Sequence, residues 1–154
     1  MTPQEFEKLK EAAKEFFEQT GLALEVEIKN QADSTILVDL KAEEPQFLIG
    51  ERGQTLSEIQ RLLRAVLRRK TETLTSFYID VDVNDYKKKK AEYLKEVAQT
   101  AADEVAITKR EKELPSMPPY ERRVVHTELA SRPDIATESI GEGPERRVKI
   151  KPRP

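Results

Sequence analysis

Residues 48–63 read LIGERGQTLSEIQRLL. Gly50 and Gly53 enclose Glu51 and Arg52, and the apolar triplet Phe47, Leu48, Ile49 runs into them from a turn that starts at Pro45. Beyond them Leu56, Ile59, Leu62, Leu63, Val66 and Leu67 recur at helical spacing, which predicts one long apolar stripe with Arg61, Arg64 and Arg68 on another face. Gly-x-x-Gly occurs in many loops, so its weight comes from what surrounds it. On the N-terminal side, Phe6, Leu9, Ala13, Phe16 and Phe17 predict an amphipathic helix over 4–19, started by Thr2 and Pro3 and stopped by Gly21. The period then changes to two. Leu24, Val26 and Ile28 alternate with charged residues, NQADS at 30–34 is turn chemistry, and Ile36, Val38 and Leu40 alternate again. On the C-terminal side Phe77, Ile79, Val81 and Val83 predict a third strand with Asp80 and Asp82 outward. The order is helix, strand, strand, short helix, Gly-x-x-Gly, helix, strand.

In that order, residues 48–63 resemble the core signature of a type II KH domain. The residue types explain what such a loop does. Two glycines let a backbone approach a sugar-phosphate chain without a Cβ in the way. The helix that follows turns its free N–H groups and positive dipole end toward a phosphate. The resemblance implies a clamp on about four nucleotides, with bases along an adjacent apolar groove. The alternative is a plain helix-turn-helix corner that needs glycine for positive φ. Glu51 departs from the basic or neutral residue common in this loop, and it sets a negative charge beside the expected phosphate path, which Arg52 offsets.

Bulk composition bounds the rest. In 154 residues, 37% apolar and 36% charged, any core must be small, and two small domains fit better than one. No Cys is present, which excludes disulfides, Cys-based zinc sites and thiol nucleophiles, and one His excludes a His-rich metal site. MTPQEFEKLK at the N-terminus has no apolar core of a signal peptide, and no apolar run approaches about 18 residues. The expectation is a soluble cytoplasmic chain without a membrane segment. Net charge is −2, yet residues 1–50 carry 5 basic and 11 acidic side chains, residues 51–70 carry 6 and 2, and residues 115–154 carry 8 and 6. Positive charge is thus gathered in two stretches, and the local patch is what a phosphate chain meets. Arginine-rich faces that are merely solvated remain the other reading.

Asn84 and Asp85 are expected to cap a helix of about 23 residues, polar where Lys87–Lys90 lie and apolar at Leu94, Val97, Ala101 and Val105. Pro115, Pro118 and Pro119 break the chain, and Pro119 suits the first turn of a helix to about Ser131. Residues 109–114 form a candidate short strand. Ile135–Ile140 and 146–151 read as strands joined at Gly141-Glu142-Gly143-Pro144. Arg122 and His126, at i and i+4, share a helix face, whereas Val125 and Leu129 face a core. Along the last strand Val148 and Ile150 alternate with Arg147, Lys149 and Lys151, so one strand face is basic. A lone His is otherwise a structural residue, and that alternative stands on the spacing alone.

The Arg-x-x-x-His spacing, PPYERRVVHTEL and TESIGEGPERRVKIKP resemble the R-3-H domain. With the KH-like part upstream, residues 5–151 resemble the C-terminal two-domain region of the bacterial Jag, or SpoIIIJ-associated, family. Members often carry a further N-terminal Jag domain, expected to be absent here, which weighs against a membrane-side or septal role. The expected fold class is α+β: a type II KH domain over 1–84, three strands with helices on one face, a connecting helix over 85–108, and a small α/β R-3-H-type domain over 109–154. The resemblance implies binding of single-stranded RNA or single-stranded DNA, a second small KH-domain protein as partner, and regulation of cell-envelope growth or division. The expected contact residues are Gly50, Glu51, Arg52, Gly53, Gln54, Arg61, Arg64, Arg122, His126, Arg146, Arg147 and Lys149. No cofactor, metal or catalytic residue is expected. Two rivals differ in class: a protein-interaction adaptor, for which the acidic N-terminal region speaks, and a nuclease built on Arg122 and His126, against which the lack of a metal cluster, nucleophile triad or P-loop speaks.

Overall fold

The computed structural model describes residues 1–71 and 76–154. The chain divides into two units, Met1–Lys87 and Lys88–Pro154.

The first unit begins with α1, Pro3–Gln19. Thr2 and Glu5 close a capping box at its start, and Gly21, at φ +72°, follows its end. Strands β1 (Glu25–Gln31) and β2 (Thr35–Lys41) pair antiparallel, and β3 (Tyr78–Val83) pairs parallel to β2, so the sheet runs β1-β2-β3. Between β2 and β3 lie α2 (Gln46–Ile49) and α3 (Gln54–Thr71). The parallel pairing demands such a crossover, because β2 and β3 must run the same way. Leu9, Ala13 and Phe17 from α1 and Leu56, Leu63 and Leu67 from α3 cover Ile36, Val38, Ile79 and Val81 of the sheet. Helices on one face of a three-stranded sheet match the expected architecture.

Two sequence expectations need correction here. Leu62 does not join the apolar stripe of α3 and is 56% exposed. Leu56, Ile59, Leu63 and Leu67, at i, i+3, i+7 and i+11, make the core-facing stripe, and Leu62 falls outside it. Nor do Asn84 and Asp85 cap the next helix, α4 (Tyr86–Thr108). Both adopt left-handed backbone, φ +49° and +56°, and turn the chain. The Asn84 carboxamide instead pairs both polar groups of Ala42, accepting from its N–H and donating to its C=O, each at 2.9 Å. The cap comes from Asp82, whose carboxylate accepts from the Lys87 N–H at 3.1 Å and from Val83 at 2.8 Å. Burial raises the Asp82 carboxyl above its ordinary range, and these backbone bonds pull against that rise. Asn84→Ala is expected to destabilise the first unit by about 1–3 kcal/mol, through two lost bonds and a left-handed backbone that alanine resists. Urea unfolding would show it, with Asp85→Ala as the milder comparison.

The second unit takes most of α4, whose Leu94, Ala98, Ala101, Ala102 and Val105 are buried in its core. Strand β4 (Lys112–Glu113), helix α5 (Pro119–Leu129) and strands β5 (Ile135–Ile140) and β6 (Arg147–Pro152) complete it, with sheet order β4-β6-β5, all antiparallel. Pro119 stands at the start of α5, and Val125 and Leu129 point into the core with Ile135, Val148 and Ile150. Among the described residues the fold is mixed α+β, with two three-stranded sheets. Among the described residues no helix is long and apolar enough to cross a membrane.

Candidate nucleic-acid interface

Gly50 leaves α2 at φ +71°, ψ −172°, a region open only to glycine in practice. A Cβ there would stand 2.1 Å from Thr55 Oγ1 and 2.9 Å from the Thr55 backbone nitrogen. Gly53, at φ +77°, lies against the Tyr86 ring, which a Cβ would meet at 3.2 Å. The loop is thus drawn tight onto the first turn of α3 and braced by the residue that opens α4. Between the glycines Glu51 and Arg52 are exposed, Arg52 in left-handed backbone at φ +56°. Gln54, also exposed, opens α3. Phe47, just before the loop, is 77% exposed.

Along α3 the arginines part company. Arg61 is exposed and sits 3.6 Å from Glu58. Such a surface pair is worth little and yields easily to a phosphate. Arg64 is half-buried, and its Nε is buried without a hydrogen-bond partner among the described residues. It lies one turn after Gln60, whose Oε1 accepts from the Val81 N–H at 3.0 Å and from Lys87 Nζ at 2.8 Å.

In the second unit α5 holds Arg122 and His126 on one face, both half-buried. Arg122 donates to the Met117 carbonyl at 2.7 Å. The His126 ring lies between two β5 hydroxyls, with Nδ1 2.8 Å from Thr137 Oγ1 and Nε2 2.8 Å from Ser139 Oγ. A hydroxyl donates or accepts as required, so this cradle satisfies either tautomer and the imidazolium. Burial lowers the His126 pKa, and the positive charges of Arg122 and then Arg146 lower it further. Two guanidinium groups, Arg122 and Arg146, thus act on the imidazole, and Arg146 is held by the Gly141 carbonyl at 2.7 Å.

Arg147 and Lys149 do not join them. In an antiparallel pair directly opposed residues share a face. Thr137 and Ser139 oppose Ile150 and Val148, both buried, so His126 lies on the core side of the sheet. Arg147, Lys149 and Lys151 lie on the other side, and each has a carboxylate: Glu113 at 3.5 Å, Glu111 at 2.8 Å and Glu138 at 2.8 Å. The basic strand face read from the sequence is a ladder of ion pairs. Sequence reasoning also passed over Thr137, Ser139, Gln60 and Lys87. Strand alternation set Thr137 and Ser139 on one face, but nothing local said that a helix would lay an imidazole across them.

Residues 8–108 match the KH domain family and residues 92–152 the R-3-H domain family. The chain is similar to an RNA-binding protein KhpB from Clostridium symbiosum, 36% identical over 151 residues, covering 94% of this chain and 66% of that protein. It is similar to those of Lactiplantibacillus plantarum, 34% over 104 residues (68% and 32%), and Bacillus subtilis, 33% over 122 residues (78% and 58%). The chain thus spans between about a third and two thirds of the length of these curated relatives. With the glycine loop drawn onto α3 and the arginine–histidine pair on α5, the chain belongs to the KH domain family and carries an R-3-H domain in the same polypeptide.

Proposed function

We propose that the chain binds single-stranded RNA through both units and works by binding rather than by turnover. The observation that carries this is the Gly50–Gly53 loop, in which glycine-only backbone opens directly onto an 18-residue helix between exposed Glu51 and Arg52. Gly50, Glu51, Arg52, Gly53 and Gln54 form the backbone clamp, and Arg61 and Arg64 follow the strand along α3. Arg122, His126 and Arg146 take a phosphate in the second unit, while Arg147 and Lys149 contribute once their glutamates release them. The relatives named as RNA-binding proteins support RNA over single-stranded DNA as the ligand. The family resemblance extends the reading to the cytoplasm, to a second small KH-domain protein as partner, and to control of cell-envelope growth or division.

Fluorescence anisotropy with a mixed pool of single-stranded RNA tests the central claim. Affinity is expected to fall with salt at a slope of about −0.7 per neutralised phosphate in log K against log salt. Glu51→Lys should bind more tightly and steepen that slope by about one phosphate. Absence of binding at low salt by folded protein would remove the reading.

A further inference from the structure

We propose that Gln60, locked by Lys87, makes the first unit select a base carbonyl oxygen and disfavour adenine. This rests on the reading that the first unit binds single-stranded RNA. β3 is the outer strand of its sheet, and the Val81 N–H turns outward to Gln60 rather than to β2. The same Gln60 oxygen accepts from Lys87 Nζ, which is held in turn by Asp80 Oδ1 at 2.5 Å. A backbone N–H and an ammonium are donors only. The carboxamide oxygen must therefore face both of them, and its orientation follows from the chemistry. Nε2 is turned away and makes no hydrogen bond among the described residues.

That lock decides what the side chain can read. An unconstrained glutamine recognises adenine with both ends, accepting from N6 and donating to N7. Here the accepting end is saturated by two donors. Only the N–H groups are left, and the Arg64 guanidinium one turn on adds donors and no acceptor to the same face of α3. Asp80 is engaged by Lys87 and lies on the sheet face opposite the buried Ile79 and Val81. A base carbonyl (uracil O2 or O4, guanine O6, cytosine O2) satisfies this donor-only edge. Adenine offers this edge only a ring nitrogen as acceptor, and its adjacent amino group meets the second donor as one donor facing another.

The test uses the full chain with octamers of uridylate and of adenylate in anisotropy titrations, with thermal melting of each variant as the check on folding. The wild type is expected to favour the uridylate octamer by about ten-fold. Gln60→Glu keeps an oxygen for Val81 and Lys87 and replaces the presented NH2 with a second acceptor. It should weaken both complexes through its charge yet move the uridylate-to-adenylate ratio about ten-fold toward adenylate. Gln60→Leu should erase the preference. In addition, the Gln60 side-chain amide resonances should shift with uridylate and stay still with adenylate. An unchanged ratio in a folded, binding Gln60→Glu protein overturns the inference, as does an amide signal indifferent to uridylate. Failure of the wild type to bind either octamer would instead bring down the RNA-binding reading, and this inference with it.

Discussion

Gly50→Ala is expected to lose at least ten-fold in affinity for single-stranded RNA and about 1–3 kcal/mol of stability. Both losses have the same cause. The backbone at Gly50, φ +71° and ψ −172°, is one that alanine avoids, and the added methyl would stand 2.1 Å from Thr55 Oγ1. Rotating the Thr55 side chain does not solve this, because the Thr55 backbone nitrogen is only 2.9 Å away. The loop must then lift from the first turn of α3, which separates its N–H groups from the path that a phosphate would take. Gly53→Ala should cost less, since its neighbour is the Tyr86 ring at 3.2 Å, which has room to yield. Urea midpoints and anisotropy on both variants would check the order. Full affinity in a correctly folded Gly50→Ala protein would mean that the loop is a structural corner only.

Arg122→Ala and His126→Ala should separate binding from stability in the second unit. Arg122→Ala is expected to weaken RNA binding about ten-fold at any pH near neutrality, because a guanidinium stays charged. His126→Ala removes the group that ties α5 to Thr137 and Ser139, so it should lower the melting temperature by several degrees. The pH dependence follows from the direction of the shift. The folded-state pKa of His126 lies below the ordinary value of about 6.5, through burial and the two arginines. The stability that neutral His126 supports is complete above about pH 6.5 and is lost as pH falls from there through the lowered folded value. A bound phosphate offsets both arginines and favours the imidazolium. RNA affinity should therefore rise as pH falls across the same window, and His126→Ala should lose that rise. Loss of melting temperature with RNA affinity unchanged at every pH would make His126 a structural histidine.

In the first unit the pattern of residues was enough for the fold. Alternation at Val26, Ile28, Ile36, Val38, Ile79 and Val81, and the helical period around Gly50 and Gly53, are local properties that persist wherever the segment packs. The resemblance to KH and R-3-H domains rested on the same short-range order, and it held over residues 8–152. Helix ends were less legible. Asn84 has the chemistry of a cap, but Ala42 lies 42 residues away in sequence and competes for the same carboxamide, while Asp82 reaches the Lys87 N–H from inside the strand. Local propensity cannot weigh a partner that only the folded sheet supplies.

The sequence by itself determined which residues carry charge, which segments alternate, and where glycine permits a backbone that no other residue holds. Only the tertiary structure decided which charges stand together. Arg147, Lys149 and Lys151 make a basic stripe on a strand taken alone, yet β4 and β5 bring Glu113 and Glu138 to it, and Glu111 just before β4 completes the pairing. Arg122, His126 and Arg146 lie up to 24 positions apart and meet across the sheet's other face. The physical reason is that an electrostatic site depends on separations of a few ångströms through space, and strand pairing, not position along the chain, sets those distances.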